Sequence, residues 1–310
     1  MTVGREAMLR PLFSFMSRQD WMKRTLLSLP GGRKLASRFV AGESIDEVLP
    51  VVRDLNRQGM LVTVDHLGEH ETDPVRVQES LDCYLSLVER LAAEHVGAHV
   101  SVKLSEMGLD ISPGACRENM KALLATAAAK GVFVRIDMES SVYTQRTLDL
   151  FHDLRGSFEN VGVVVQAYLR RTGSDVERIL GRGGRMRLCK GAYDEPPTVA
   201  FPHKRDVDEN FLALGRRLLD SGLYHGLATH DTAMIDSLMA HARSRSIQPE
   251  SFEFQMLYGV RRDLQEKIVR DGYRLRIYLP FGVNWYQYFM RRLAERPANV
   301  VFVARSIVGW

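Results

Sequence analysis

The chain has 310 residues, 45% hydrophobic and 26% charged, with a formal net charge of +4. That is ordinary globular material, long enough to bury most of its apolar surface without covalent staples. No run of five or more basic residues and no apolar stretch near the ~20 residues of a membrane span occurs, which excludes a polybasic tail and a transmembrane helix.

Three cysteines, Cys83, Cys116 and Cys189, form no CxxC pair. Their odd number fits a reducing compartment better than a secreted disulfide framework. Met1–Leu29 scatters Arg10, Arg18, Asp20 and Lys23 among its apolar residues and lacks the apolar core of a signal peptide. The expected location is cytoplasmic, with peripheral contact to the inner face of the membrane left open.

In chain order, residues 1–59 read as an N-terminal helical segment. Arg5–Leu29 stops at Pro30-Gly31-Gly32. Ser44–Arg57 opens with Ser44 ahead of the acidic turn Asp46-Glu47 and is followed by Gly59. From residue 60 the rhythm changes. Strands are predicted at Met60–Asp65, Ala98–Lys103, Val132–Asp137, Val161–Gln166, Arg185–Lys190, His225–Thr229, Phe252–Gln255 and Arg274–Tyr278. Helices are predicted between and after them at Pro74–Glu94, Cys116–Lys130, Thr144–Leu154, Asp175–Leu180, Asp206–Leu219, Thr232–Arg243, Asp263–Arg270 and Asn284–Arg296. Eight strand–helix pairs predict an α/β fold, a (β/α)8 TIM-type barrel over 60–310. An open doubly wound sheet would also alternate, but the count of eight favours closure.

Such barrels carry their sites at the C-terminal strand ends. Here those ends read Asp65-His66, Lys103, Asp137, Gln166, Arg187 with Lys190, Thr229-His230-Asp231, Gln255 and Tyr278. Lys103 either reaches solvent or enters the mouth. Asp137 either caps the next helix or supplies a pocket charge. Arg187 alternates with Leu188 and can point into the barrel, and Lys190-Gly191-Ala192 then offers a charge, a hinge and a small side chain for close backbone approach to a ligand. A tight strand-to-helix turn is the plainer reading. On the last helix, Tyr288 lies three and four residues before Arg291 and Arg292. The two arginines can grip a carboxylate from two sides, or form a surface pair with Glu295.

Several motifs are missing or fail. There is no Walker A loop, no G-x-S-x-G elbow, and Gly181–Met186 does not satisfy GxGxxG. His66-Leu67-Gly68-Glu69-His70 fits a zinc-protease pattern, but it begins at a strand end and contains glycine, so it reads as a loop, and no metal is expected. Stacking aromatics interleaved with basic residues are absent, so no nucleic-acid partner is expected.

RLCKGAY, ATHD, FEFQMLYG and YFMRRLAERPAN, in that order, together with VQAYLRR, resemble the proline dehydrogenases of the single-function bacterial type. The resemblance runs from about Leu61 to the C-terminus. It implies a distorted barrel whose last helix lies over the strand ends, and a noncovalently bound FAD. The implied reaction is oxidation of L-proline to Δ1-pyrroline-5-carboxylate, with electrons passed to membrane quinone. By the resemblance, Arg291 and Arg292 hold the proline carboxylate, while Lys103, Asp137, Tyr278, Tyr288 and Leu257 line the substrate pocket. Arg187 faces the flavin, with Asp137 and Arg187 as the catalytic pair. Met138, Gln166, Lys190, Gly191, Ala192, Thr229 and His230 contact FAD. Hydride transfer needs a neutral amine with its Cα–H aimed at the flavin. A Schiff-base barrel lyase on Lys103 or Lys190 is the rival enzyme, and a basic binding module the rival without catalysis.

Overall fold

The computed structural model describes residues 37–294, the last four as backbone only. The helix expected at Arg5–Leu29 lies outside the described residues. The first described helix, α1 (Ile45–Arg57), is the one expected. Ser44 caps it by accepting from the Glu47 N–H.

Eight strands follow, each succeeded by a helix. They are β1 (Leu61–His66), β2 (Ala98–Val102), β3 (Val134–Ile136), β4 (Val161–Gln166), β5 (Arg185–Cys189), β6 (Gly226–Ala228), β7 (Glu253–Leu257) and β8 (Leu275–Phe281). The helices are α2 (Pro74–Ala93), α3 (Pro113–Ala129), α4 (Ser141–Arg155), α5 (Thr172–Leu180), α6 (Lys204–Leu219), α7 (Thr232–Ser244), α8 (Arg262–Arg270) and α9 (Trp285–Ala294). Every strand pairs in parallel with the next, and β8 closes on β1, so the barrel is shut as expected.

Alternation explains the layers. Outward-pointing Val62, Val64, Val100, Val102, Val134, Ile136, Leu188, Phe254 and Ile277 pack with the helices in one apolar cluster. Val48, Leu49, Val52 and Leu55 of α1 belong to the same cluster. Barrel interiors are usually filled by bulky branched side chains. Here the inward positions carry charge: Asp65, Arg135, Arg187, Glu253 and Arg276 are all buried. Gly162 makes room for one of them, since a Cβ there would stand 2.5 Å from the Arg135 guanidinium.

α9 differs from the outer helices. Trp285, Tyr286, Tyr288, Phe289 and Met290 are all buried, so its described part has no broad solvent face. Trp285 donates to Glu43 at 2.7 Å, and Phe289 meets Phe39 with ring centres 6.1 Å apart.

Beneath β6, His225 is buried. Its Nδ1 accepts the Met186 N–H at 3.0 Å, and its Nε2 lies 3.1 Å from Ser221 Oγ. Burial, then the charges of Arg135 and Arg185, push its pKa down from 6.5 to about 3. On acidification the unfolded chain takes up a proton that the folded chain refuses. This residue's contribution is therefore complete above pH 6.5 and is lost as pH falls toward 3, at up to about 1.4 kcal/mol per pH unit. His225→Asn keeps an acceptor for Met186 and removes the titration. It is expected to flatten the acid limb of stability in urea titrations; an acid limb as steep as wild type would refute the assignment.

Candidate active site

Side chains from several C-terminal strand ends meet at one mouth of the barrel. Arg187, on β5, is 5% exposed and points inward. Its Nη1 donates to Asp137 at 2.7 Å, its Nη2 to Ser101 at 3.2 Å, and its Nε to Gln255. The guanidinium also lies over the Tyr278 ring, 5.1 Å from its centre. Asp137 is the hub: besides Arg187 it accepts from Ser101 at 3.1 Å and from the Tyr278 hydroxyl at 2.7 Å. Of the two readings of Asp137, helix cap or pocket charge, these three side-chain donors correspond to the second.

Beside this hub, Lys103 enters the mouth and does not reach out to solvent. Its ammonium is 3.1 Å from Asp65 Oδ1 and 3.4 Å from Oδ2, and its side chain is 12% exposed. Burial alone would lower the ammonium's pKa. Asp65, Asp137 and Glu106 outweigh that and hold it above its ordinary value. Asp65 lies above the ordinary carboxylate range, through burial first and against the pull of Lys103. Burial, with Asp137 and Asp65 nearby, keeps the Tyr278 phenol protonated well above its usual value. Tyr278 is therefore a donor at any working pH.

Lys103, Asp137, Arg187 and Tyr278 thus form one cluster, contributed by the residues just past β2 and β3 and by β5 and β8. Leu257 ends β7, half-buried, opposite Tyr278 in the strand register. Tyr288 is buried on α9. Arg291 and Arg292 lie on the same helix, but their side chains, like Glu295, fall outside the described residues. Asp65, Ser101 and Gln255 complete the cluster and had no role assigned from sequence. Strand alternation carries the signal for one of them, since Ser101 and Lys103 share a face.

The other expected contacts run along β3 to β6. Met138 is buried, and its carbonyl accepts from Gln166 Nε2 at 3.4 Å. The other amide atom, Gln166 Oε1, is buried with no donor among the described residues. Gly191 takes φ +117, and a Cβ there would stand 2.2 Å from the Tyr168 ring, so the turn needs glycine. Ala192 beside it is exposed. Lys190 shares its charge between Asp208 at 2.7 Å and Asp231 at 3.6 Å. Thr229 is buried and accepts the Asp231 N–H at 3.2 Å, while His230 Nε2 accepts the Leu257 N–H at 2.9 Å.

His66 and His70 do not converge on a common point. His66 Nδ1 is 2.7 Å from Glu106, whereas His70 sits at φ 59 with Nδ1 3.1 Å from the Tyr143 hydroxyl. No group of three or more metal-ligating side chains occurs among the described residues.

A buried guanidinium, an ammonium and two carboxylates thus stand together at the barrel's C-terminal mouth. Proline dehydrogenase 2 of Bacillus subtilis is 41% identical over 298 residues, spanning 96% of this chain and 98% of its own length. The proline dehydrogenase of Deinococcus radiodurans is 40% identical over 279 residues, 88% and 90% of the two chains. Among solved structures, proline utilization A (PutA) from Bdellovibrio bacteriovorus, inactivated by N-propargylglycine, superposes with a TM-score of 0.79 at 30% identity. That match covers 84% of this chain and 32% of the longer protein. The family model described as proline dehydrogenase matches residues 48–305, from within α1 through all eight strands, and the chain therefore belongs to the proline dehydrogenase family.

Proposed function

We propose that this chain oxidises L-proline to Δ1-pyrroline-5-carboxylate, with noncovalently bound FAD as hydride acceptor and quinone taking the electrons onward. Oxidation of proline follows from family membership; the cofactor, the product and the acceptor are the proposal. So are the division into a helical arm over 1–59 and a catalytic barrel over 60–310, and peripheral contact with a membrane. No helix among the described residues is long and apolar enough to cross one.

The observation that carries the reading is the Arg187 guanidinium, buried at the mouth and fixed by Asp137, Ser101 and Gln255. A fixed cation there costs no reorganisation when negative charge develops beside it. The residues fit a flavin: Gln166 Oε1 lacks a donor among the described residues, and a flavin ring carries an N–H among its acceptors. In this reading Gln166, Met138, Lys190, Gly191, Ala192, Thr229 and His230 hold the cofactor, which supplies two-electron redox chemistry when bound. Arg291 and Arg292 clamp the substrate carboxylate, and Leu257 with Tyr278 and Tyr288 flanks the ring. Forming the product's C=N bond takes hydride from the ring carbon remote from the carboxylate. The C–H to be oriented is thus on Cδ and not on the Cα named above.

The Schiff-base reading loses ground on Lys103. An amine nucleophile needs a lowered pKa, and the carboxylates around Lys103 raise it.

Anaerobic absorption spectra provide the test. The purified chain is expected to show flavin bands that bleach when L-proline is added and return when a soluble quinone follows. Protein that carries no flavin, takes up none, and is trapped by borohydride on a lysine would replace this reading with the lyase.

A further inference from the structure

The opposite end of the barrel holds a second feature that proline oxidation does not use. A cavity of about 420 Å³ opens at the N-terminal strand ends, lined by Leu61, His99, Arg185, Tyr224, Arg274 and Arg276 among others. The size is that of a small-molecule site. Its electrostatics are lopsided. Arg185, Arg274 and Arg276 line it, the buried Arg135 lies behind them, and Glu253 is the carboxylate set among Arg135, Arg185 and Arg276.

That carboxylate is already engaged. Glu253 Oε1 accepts from Arg276 at 2.7 Å and Gln255 at 2.6 Å, and Oε2 accepts from the Tyr224 hydroxyl at 2.8 Å. Arg135 and Arg276 also donate to backbone carbonyls, of Arg185 at 2.7 Å and Val62 at 2.6 Å. Among the described residues Arg185 has no such outlet. Its Nε is buried without an acceptor among the described residues, and its guanidinium lies against the rings of Phe133 and Tyr224, at 4.5 and 4.8 Å. Arg274 flanks Tyr224 at 5.6 Å and is exposed at the rim. His99, on the same wall, is kept neutral by burial and then by the surrounding arginines.

We propose that this mouth binds a phosphate-class dianion, either free phosphate or the phosphoryl group of a small ester. An excess of three positive charges is matched better by a dianion than by a carboxylate, and two guanidinium forks suit phosphoryl oxygens. The cavity exceeds what bare phosphate fills, and Leu61 and Leu223 supply an apolar rim for an organic part. The alternative role for these arginines is a stacked plug that closes the barrel without a ligand. The inference is independent of the flavin reading, because the site lies at the other end of the strands.

Isothermal titration calorimetry on the full chain, at ionic strength fixed with potassium chloride, separates the two roles. Inorganic phosphate and glycerol phosphate are the probes. Saturable binding of one equivalent is expected, and tighter binding of the ester than of phosphate identifies an ester as the ligand class. Arg274→Gln, at an exposed position, and Arg185→Met are each expected to weaken it by about tenfold or more. Arg274→Gln tests the site even if Arg185→Met folds poorly. No saturable heat with either probe, or binding unchanged in Arg274→Gln, overturns the proposal.

Discussion

Arg187→Met is expected to lower kcat/KM for proline by about a thousandfold and to remove about 3–5 kcal/mol of stability. Both effects come from the same bonds. Among the described residues the guanidinium makes three side-chain hydrogen bonds, and its loss leaves the Asp137 carboxylate inside the barrel with Ser101 and Tyr278 as the donors described there. The stability loss belongs to the orphaned charge, so the double variant Arg187→Met with Asp137→Asn should regain much of it. It should regain none of the activity, because the fixed cation is still missing. Arg187→Lys keeps a charge but not the three-way fork, and should fall between. Reduction of the proposed flavin, followed by stopped flow well below the melting temperature, tells catalysis from folding. Reduction of Arg187→Met at the wild-type rate would make Arg187 structural only.

The fold was legible because its outer layer is written plainly. Val100 and Val102, or Val134 and Ile136, point at helices, so short β-branched alternation marks each strand. Boundaries slipped where that signal fades. The seventh strand was expected at Phe252–Gln255 and runs Glu253–Leu257, since a short turn at Pro249–Ser251 takes up its approach. The sixth is shorter than expected, three residues with Gly226 and Ala228 facing inward, where small side chains carry no pattern. The third helix was expected from Cys116 and starts at Pro113. Ser112-Pro113-Gly114 reads as a turn, yet a serine cap followed by proline is a helix start.

The site was half legible for a related reason. Polar residues at strand ends name the participants, but partners are set by register across a closed barrel. Lys103 meets Asp65, 38 residues earlier, and Tyr278 meets Asp137, 141 residues earlier. Periodicity within one strand carries no information about those distances. Asp65 therefore appeared among the strand ends without a role, and Ser101 and Gln255, which fix Arg187, had none either. The resemblance supplied names for the substrate pocket, and the geometry adds the residues that hold those side chains still.

Lys103→Met tests that last point through pH. Lys103 is what draws the Asp65 pKa down against burial, Asp137 and Glu106. Without it the buried carboxyl should rise further and hold a proton at neutral pH that the unfolded chain has released. A folded pKa above the unfolded one gives stability that is full at low pH and lost as pH rises through the folded value, at up to about 1.4 kcal/mol per pH unit. Lys103→Met should therefore be more stable near pH 5.5 than near pH 8, by about 2–3 kcal/mol in urea titrations. Adding Asp65→Asn should abolish that slope, and a slope that survives would mean Asp65 is not its source. The same change acts on substrate. A carboxylate-bearing amino acid would then approach Asp65 and Asp137 without the ammonium that offsets them, so KM for proline should rise by about tenfold or more, and most at alkaline pH, where Asp65 has lost its proton.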